Sequence, residues 1–340
     1  MYGRTRDEAH TKLIELQDKS RKGIPRPSKA KVAEYLDYWL EHAVGSSIRP
    51  TTYAKYEQMI RLYLKPGLGR YRLDRLSVPH VQAYLNSRLK GGDSVAKVHV
   101  MRMVLGAALT RATREELITR NVARLATLPP VQSKERRPWS ADEARRFLDA
   151  ARGDPLYPAF VLLLVYGLRR GEVLGLSWSD VDFGAGVIRV RQQVIRVRGR
   201  LLIGPVKTRA GARELPLLGI ARDGLVDQEG RQILGGPATE WSPYGLVFTT
   251  ANGHPVEPRN LARSFERIAR GAKLRPIRLH DLRHVTASLL KKLRVPPRDA
   301  MVILGHSRIS VTLEIYTHVD EESRWDALDK MNRLLGGEVA

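Results

Sequence analysis

From Val32 to about Ala126 the apolar residues recur at spacings of three and four, and no β-hairpin signal interrupts them. Tyr35, Leu36, Trp39 and Leu40 form one stripe. Thr51 opens a second helix that holds Tyr53, Tyr56, Ile60 and Tyr63, and the segments Val78 to Leu89 and Val95 to Arg111 continue the pattern. A stretch of this length, apolar on one stripe at a time, buries its stripes by packing helix on helix. It stops at TLPPVQSKERRPWS (Thr127 to Ser140), where Pro129, Pro130 and a charge cluster replace the periodicity. Ser140 followed by Glu143 reads as a capping box, so a second domain starts there.

In that domain EARRFLDAA and AFVLLLVYGL read as helices, with Gly167 placed to end the second. After Asp182 the run VIRVRQQVIRVRGRLLIGPVKTRAGARELPLL is rich in Val, Ile and Arg, with turn signals at Arg198-Gly199 and Ala210-Gly211. Three short antiparallel strands are expected there. Helical spacing returns at about Glu257 and persists to Leu335, where Trp325, Leu328, Met331 and Leu335 make a tail stripe. Ahead of the bundle, residues 5–22 read as a helix with Ala9, Leu13 and Leu16 on one side, broken by Pro25 and Pro27. The expected class is mainly α with a small antiparallel sheet. The expected domains are an N-terminal helix over 1–28, an all-helical domain over 29–126, a linker over 127–139, and a mixed α+β domain with a tail helix over 140–340.

Charge narrows the function. Lys and Arg number 58 against 36 Asp and Glu, for a net charge of +22. An excess this large, spread along the chain, points to a polyanionic partner, of which nucleic acid is the usual one. The chain has no cysteine, which removes disulfides, thiolate zinc sites and cysteine nucleophiles and fits a cytoplasmic protein. The longest apolar run, Phe160 to Tyr166, is too short to span a membrane, and the charged N-terminus lacks a signal-peptide core.

The motif His280-Asp281-Leu282-Arg283-His284 puts two histidines at the spacing of a zinc protease helix. Asp281 stands where those enzymes use Glu, and Arg283 would set a guanidinium beside a dication. An anion site suits the residues better, because His280 and Arg283 offer several donors to one target and arginine matches phosphate bidentately. YGLRRGEVLGL adds Arg169 or Arg170 just after Gly167, with Glu172 placed to orient an arginine. LGHSRISVTLEIYTHV adds His306 after Gly305, then Tyr316. Taken singly, Arg169 reads as an exposed loop arginine and Tyr316 as a half-buried helix tyrosine.

The stretches Y-G-L-R-R-G-E, P-V-K-T, H-D-L-R-H, L-G-H-S and E-I-Y-T-H occur in this order. That order resembles the tyrosine recombinase, or phage integrase, family over nearly the whole chain. The resemblance implies a core-type DNA-binding domain, a linker and a catalytic domain. It makes Arg169 (the arginine that directly follows Gly-Leu) and Arg283 the paired arginines, and His280 and His306 the paired histidines. Lys207 matches the hairpin lysine that serves as general acid, Tyr316 the nucleophile and Glu172 the acidic support of the first arginine. It implies strand exchange through a 3′-phosphotyrosyl ester and a Holliday junction, in a homotetramer on two double-stranded DNA attachment sites. No metal or other cofactor is implied, and the chain has no G-x-x-x-x-G-K-[ST] loop. Accessory DNA-bending or directionality proteins and a bacterial, nucleoid-associated location follow from the same resemblance. Residues 1–28 resemble the closing helix of an arm-binding domain without its strands.

The segment from Gly219 to Gly245 lengthens the path out of the strands and favours an integrase of a phage or integrative element over a Xer-like resolvase of replicon dimers. A catalytically silent DNA-binding protein would not need the six matching catalytic positions, and a relaxing topoisomerase of the same chemistry would act without sequence-specific synapsis.

Overall fold

The structure, a computed structural model, describes residues 30–45, 47–131, 137–234, 245–316 and 331. The N-terminal helix expected over 5–22 lies outside these residues, as do Trp325, Leu328 and Leu335 of the tail stripe. The chain divides into two compact units, residues 1–135 and 136–340.

The first unit is helical. Helix α1 (Val32–Tyr38) runs into a π-helical turn at Trp39–Ala43, and α2 (Pro50–Met59) runs through another at Ile60–Leu64 into α3 (Lys65–Leu68). A 3-10 turn (Leu73–Arg75) leads to α4 (Val78–Lys90), α5 (Val95–Arg114) and α6 (Val122–Leu125). Serine starts both long helices: Ser77 Oγ accepts from His80 N and Ser94 Oγ from Lys97 N, satisfying donors the first turn leaves open. Leu36, Trp39, Ile60, Leu85, Met101 and Leu105 are buried, as the apolar spacing requires, and Trp39 stacks on Tyr56 with centroids 5.6 Å apart. The two wide turns were not expected, since a single five-residue turn leaves no mark on a three-to-four pattern.

In the second unit the capping box closes as expected. Ser140 Oγ accepts from Glu143 N at 3.1 Å and Glu143 Oε2 from Ser140 N at 2.8 Å, opening α7 (Ala141–Ala151). Helix α8 (Tyr157–Val165) is apolar all round and almost wholly buried. Short α9 (Arg170–Leu174) follows. Trp139, Phe147, Phe160 and Phe265 centre the core with ring centroids 5.1 to 5.6 Å apart along four of their contacts. Truncating Phe160 to alanine there costs about 3–5 kcal/mol.

Five strands stand where three were expected. β1 (Val181–Asp182), β2 (Val187–Val190) and β5 (Arg213–Pro216) form one antiparallel sheet in the order β1-β2-β5, and β3 (Gln192–Val197) pairs with β4 (Arg200–Pro205) in a separate hairpin. That hairpin turns at Arg198 and Gly199, both with positive φ, as the turn signal implies. Arg191 separates β2 from β3, so one continuous Val-Ile-Arg run serves two sheets. Gly175, after α9, comes close enough to β3 that a Cβ there would meet Gln193 Cα at 2.6 Å.

Helix α10 (Gly219–Leu234) was missed. Gly219, Gly224 and Gly230 lower its helix propensity, but Gly224 faces Pro158 of α8, so the small residue permits close packing that offsets the loss. The unit closes with α11 (Pro258–Gly271), α12 (Leu282–Lys292), α13 (Pro297–Leu304) and α14 (Ile309–Tyr316). Among the described residues no helix is long and apolar enough to cross a membrane.

Candidate active site

Three element ends meet at one place. The first is the C-terminus of α8, where Gly167 turns the chain with φ of +60° and delivers buried Leu168, then Arg169. The carbonyls left open at a helix end need donors. Thr286 Oγ1 on α12 donates to Leu164 O at 2.8 Å, and Arg283 Nη1 donates to Gly167 O at 2.7 Å. The partial negative charge of that terminus favours a cation such as Arg283.

The second is the end of α13. Gly305 adopts φ of +66°, His306 N donates back to Met301 O at 3.0 Å, and the chain reverses so that His306 points inward, 8 % exposed. The LGH stretch is thus a helix stop followed by a fixed imidazole. The third is β5 with the turn before it. A Cβ on Gly305 would meet Arg213 Nη1 at 2.7 Å and Ala210 O at 2.9 Å, so only glycine fits between them.

Arg169, Glu172, Arg283 and His306 are brought together. Arg169 Nη1 donates to Glu172 Oε1 at 2.5 Å, its backbone N to Glu172 Oε2 at 3.1 Å, and its Nη2 to Gly305 O at 2.9 Å. Glu172 Oε2 also accepts from Arg213 Nη2 at 3.1 Å. Burial opposes ionisation of Glu172, but Arg213 and then Arg169 outweigh it and hold the carboxyl below its ordinary range. Arg170, the adjacent alternative, starts α9, whereas Arg169 is the N-cap that makes these bonds.

Arg283 Nε donates to His306 Nε2 at 3.3 Å, and His306 Nδ1 lies 2.9 Å from Thr312 Oγ1. With its Nε2 lone pair given to Arg283, the neutral ring carries its proton on Nδ1 and donates to Thr312. The threonine hydroxyl can donate as well as accept, so the contact at Nδ1 survives if Arg283 Nε is drawn away and the proton moves to Nε2. Burial, then Arg283 and Arg169, push His306 down to about 4. Burial beside Arg169 pushes Arg283 down to about 9, which leaves it charged at neutral pH. Arg283 Nη2 is buried with no acceptor among the described residues. A buried donor of this kind is costly unless an anion takes it.

Two further candidates are on exposed segments. Lys207 is exposed, between β4 and the 3-10 turn Arg209–Gly211. His280 is in the 3-10 turn Leu279–Asp281 ahead of α12, at the exposed rim, its ring T-shaped to His284 with centroids 6.1 Å apart. Partial burial, then His284 and Arg283, hold His280 below its ordinary range. Among the described residues no group of three or more His, Asp or Glu is placed to hold a metal ion.

Tyr316 is not in the cluster. Its hydroxyl donates to Val295 O at 3.1 Å, beyond the C-terminal end of α12, whereas Arg283 is near the N-terminal end. At 1.5 Å per residue those ends are about 15 Å apart. Burial raises the Tyr316 hydroxyl above its ordinary value.

Sequence reasoning missed Arg213, Thr286 and Thr312. Arg213 is one arginine of many in a basic chain. Thr312 carried a usable signal: it is four residues before Tyr316, on the same helix face, and polar among apolar neighbours.

Residues 139–323 match the family model described as the phage integrase family, and residues 31–89 match the phage integrase N-terminal SAM-like domain. A protein named tyrosine recombinase XerC-like from Caldanaerobacter subterraneus subsp. tengcongensis is 27% identical, over 98% of this chain and 91% of its own length. An integrase of Streptomyces ambofaciens is 28% identical, over 92% and 83% respectively. The Tn1549 transposon integrase in complex with a circular intermediate DNA superposes with a TM-score of 0.78, over 89% of this chain and 99% of that one, at 22% identity. A lambda integrase tetramer bound to a Holliday junction gives 0.64, over 94% and 90%, also at 22% identity. At these identities the structural likeness speaks for the fold.

Proposed function

The chain belongs to the phage integrase family, the tyrosine-type site-specific DNA recombinases, and from that premise we propose that it is the integrase of a phage or integrative mobile element, with Tyr316 as its nucleophile. The observation that carries the site assignment is the buried Nη2 of Arg283, without an acceptor among the described residues, beside Arg169, both arginines fixed by backbone carbonyls and a carboxylate. Two preorganised guanidiniums match the non-bridging oxygens of a DNA phosphate.

The chemistry then runs as follows. The Tyr316 oxygen attacks phosphorus, its proton passes to neutral His280, the bond to the 5′-oxygen breaks, and Lys207 supplies the proton that oxygen needs. The product is a 3′-phosphotyrosyl ester, which the 5′-hydroxyl of a partner strand reverses. Arg169 and Arg283 hold the charge that develops on phosphorus. His306 joins them once phosphate draws Arg283 Nε away and its proton moves to Nε2, with Thr312 then donating to Nδ1. Tyr316 must first leave Val295 O, so a rearrangement of α14 precedes attack. Two DNA attachment sites, a homotetramer and accessory DNA-bending or directionality proteins complete the reaction, in the bacterial cytoplasm at the nucleoid. The XerC-like relative keeps a second reading open, resolution of replicon dimers, and sequencing the junctions formed in cells carrying a candidate attachment site separates the two.

The test is a nicked suicide substrate, which traps the covalent adduct because the 5′-hydroxyl fragment diffuses away. Tyr316→Phe is expected to bind DNA normally and form no adduct, and mass spectrometry of the wild-type adduct should name Tyr316. Arg169→Ala should bind yet cleave about a hundredfold more slowly or worse. An adduct on another tyrosine, or one that persists in Tyr316→Phe, overturns the assignment. Cleavage should also persist in chelator; loss restored by zinc would reassign His280 and His284.

A further inference from the structure

Arg213 has no part in the chemistry above, yet its guanidinium bonds three separate segments. Nε donates to Ile303 O at 2.9 Å, Nη1 to Gly211 O at 2.8 Å and Nη2 to Glu172 Oε2 at 3.1 Å. Its side chain is buried, and each of its three nitrogens is already bonded to the protein, unlike Arg283, whose Nη2 has no acceptor among the described residues. A buried cation is a liability unless its bonds and a counter-charge offset the loss of water. Glu172 with Arg169 alone already makes a neutral, hydrogen-bonded pair. The second arginine is therefore not needed merely to balance that carboxylate.

Its three acceptors suggest what it is for. Glu172 holds Arg169. Ile303 is in the last turn of α13, two residues before the Gly305 carbonyl that Arg169 binds and three before His306. Gly211 closes the turn that follows Lys207, and the backbone on both sides of Lys207 is tied as well. Val206 N donates to Arg191 O at 3.1 Å and Gly211 N to Thr208 O at 2.9 Å. The contact at Gly305 brings the same turn, through Ala210 O and Arg213 Nη1, directly against the end of α13.

We propose that Arg213 is a positioning residue that locks the Lys207 turn onto the Arg169–His306 framework, so that the proton donor for the leaving oxygen is set in register with the phosphate-holding arginines. A planar fork with donors in fixed directions does this; lysine, a point charge on a flexible stem, reaches one or two of the three acceptors. The inference rests on the proposed recombinase chemistry.

The test uses the full chain, single-turnover cleavage and two nicked substrates. One has the ordinary scissile phosphodiester and the other has sulfur in place of the bridging 5′-oxygen. Sulfur leaves as a thiolate without needing a proton, so this substrate bypasses Lys207, and Lys207→Ala on both substrates sets the scale of full bypass. Arg213→Met is expected to bind DNA within about twofold of wild type, to lose about a hundredfold on the oxygen substrate, and to recover to within about tenfold on the sulfur substrate, the range expected for general-acid catalysis. Arg213→Lys should show a smaller loss with the same recovery. It decides the question if the methionine variant does not fold, since it keeps the charge beside Glu172. Equal losses on both substrates, which a loosened fold or misplaced Arg169 would give, overturn the proposal, as does wild-type cleavage of the oxygen substrate by Arg213→Met. If the wild type forms no adduct at all, it is the recombinase reading that fails.

Discussion

His306 illustrates how one side chain is defined by its neighbours. It faces Arg283, Arg169, His284 and Arg213, and Thr312 from α14, and it is held neutral in the folded state, at about 4 against an ordinary 6.5. The unfolded chain takes up a proton as pH falls through about 6.5, and the folded chain does so only near 4. Stability from this group is therefore complete above about 6.5, is lost as pH falls toward 4, and amounts to on the order of 3 kcal/mol. His280 is shifted in the same direction and adds to the same limb. Urea denaturation at pH 7.5 and pH 5 should show the loss, and His306→Asn should flatten most of it. An equally steep acid limb in the variant would place the titrating group elsewhere.

At the scale of elements, the site is made of ends rather than faces. The stop of α8 provides carbonyls for Arg283 and Thr286, the stop of α13 provides one for Arg169, and the turn before β5 abuts the second stop. Gly305 is where these meet. Gly305→Ala adds about 1–2 kcal/mol of left-handed strain, and its Cβ would press on Arg213 Nη1 and Ala210 O. A loss of stability above about 2 kcal/mol is expected, with cleavage falling more than DNA binding. A variant as stable as the wild type would mean that the turn and the α13 stop move apart freely. Tyr316 belongs to α14, an element tied at its own end to Val295 O, so the proposed nucleophile and the proposed phosphate site are carried by separable pieces.

For the whole molecule the governing quantity is charge. With a net charge of +22, both units are expected to take part in holding DNA, through on the order of ten phosphates. The logarithm of affinity should then fall with the logarithm of salt at a slope of about −8 or steeper. Filter binding or fluorescence anisotropy between 50 and 300 mM salt measures it, and a slope shallower than about −3 would confine DNA contact to one unit.

What the amino-acid order determined by itself was whatever is local or compositional. Helical spacing placed the first unit, the Ser140–Glu143 box opened the second, and Gly167 and Gly305 marked two chain reversals. A run of five ordered motifs, through the family they resemble, pointed to Arg169, Glu172, Lys207, His280, Arg283, His306 and Tyr316, of which the structure brings Arg169, Glu172, Arg283 and His306 together at chain reversals. The tertiary structure decided what depends on distant partners. Helix α10 buries Ala221, Gly224, Leu225 and Gln228, with Gly224 against Pro158 of α8, and the Val-Ile-Arg run divides between two sheets because pairing partners choose the strands. Arg213 is distinguished from the other arginines only by what surrounds it: a carboxylate from α9, a carbonyl from α13 and one from its own turn. Likewise the Tyr316 hydroxyl rests at the far end of α12 because a backbone carbonyl there satisfies it, and spacing along the chain carries no information about which acceptor a half-buried hydroxyl will find.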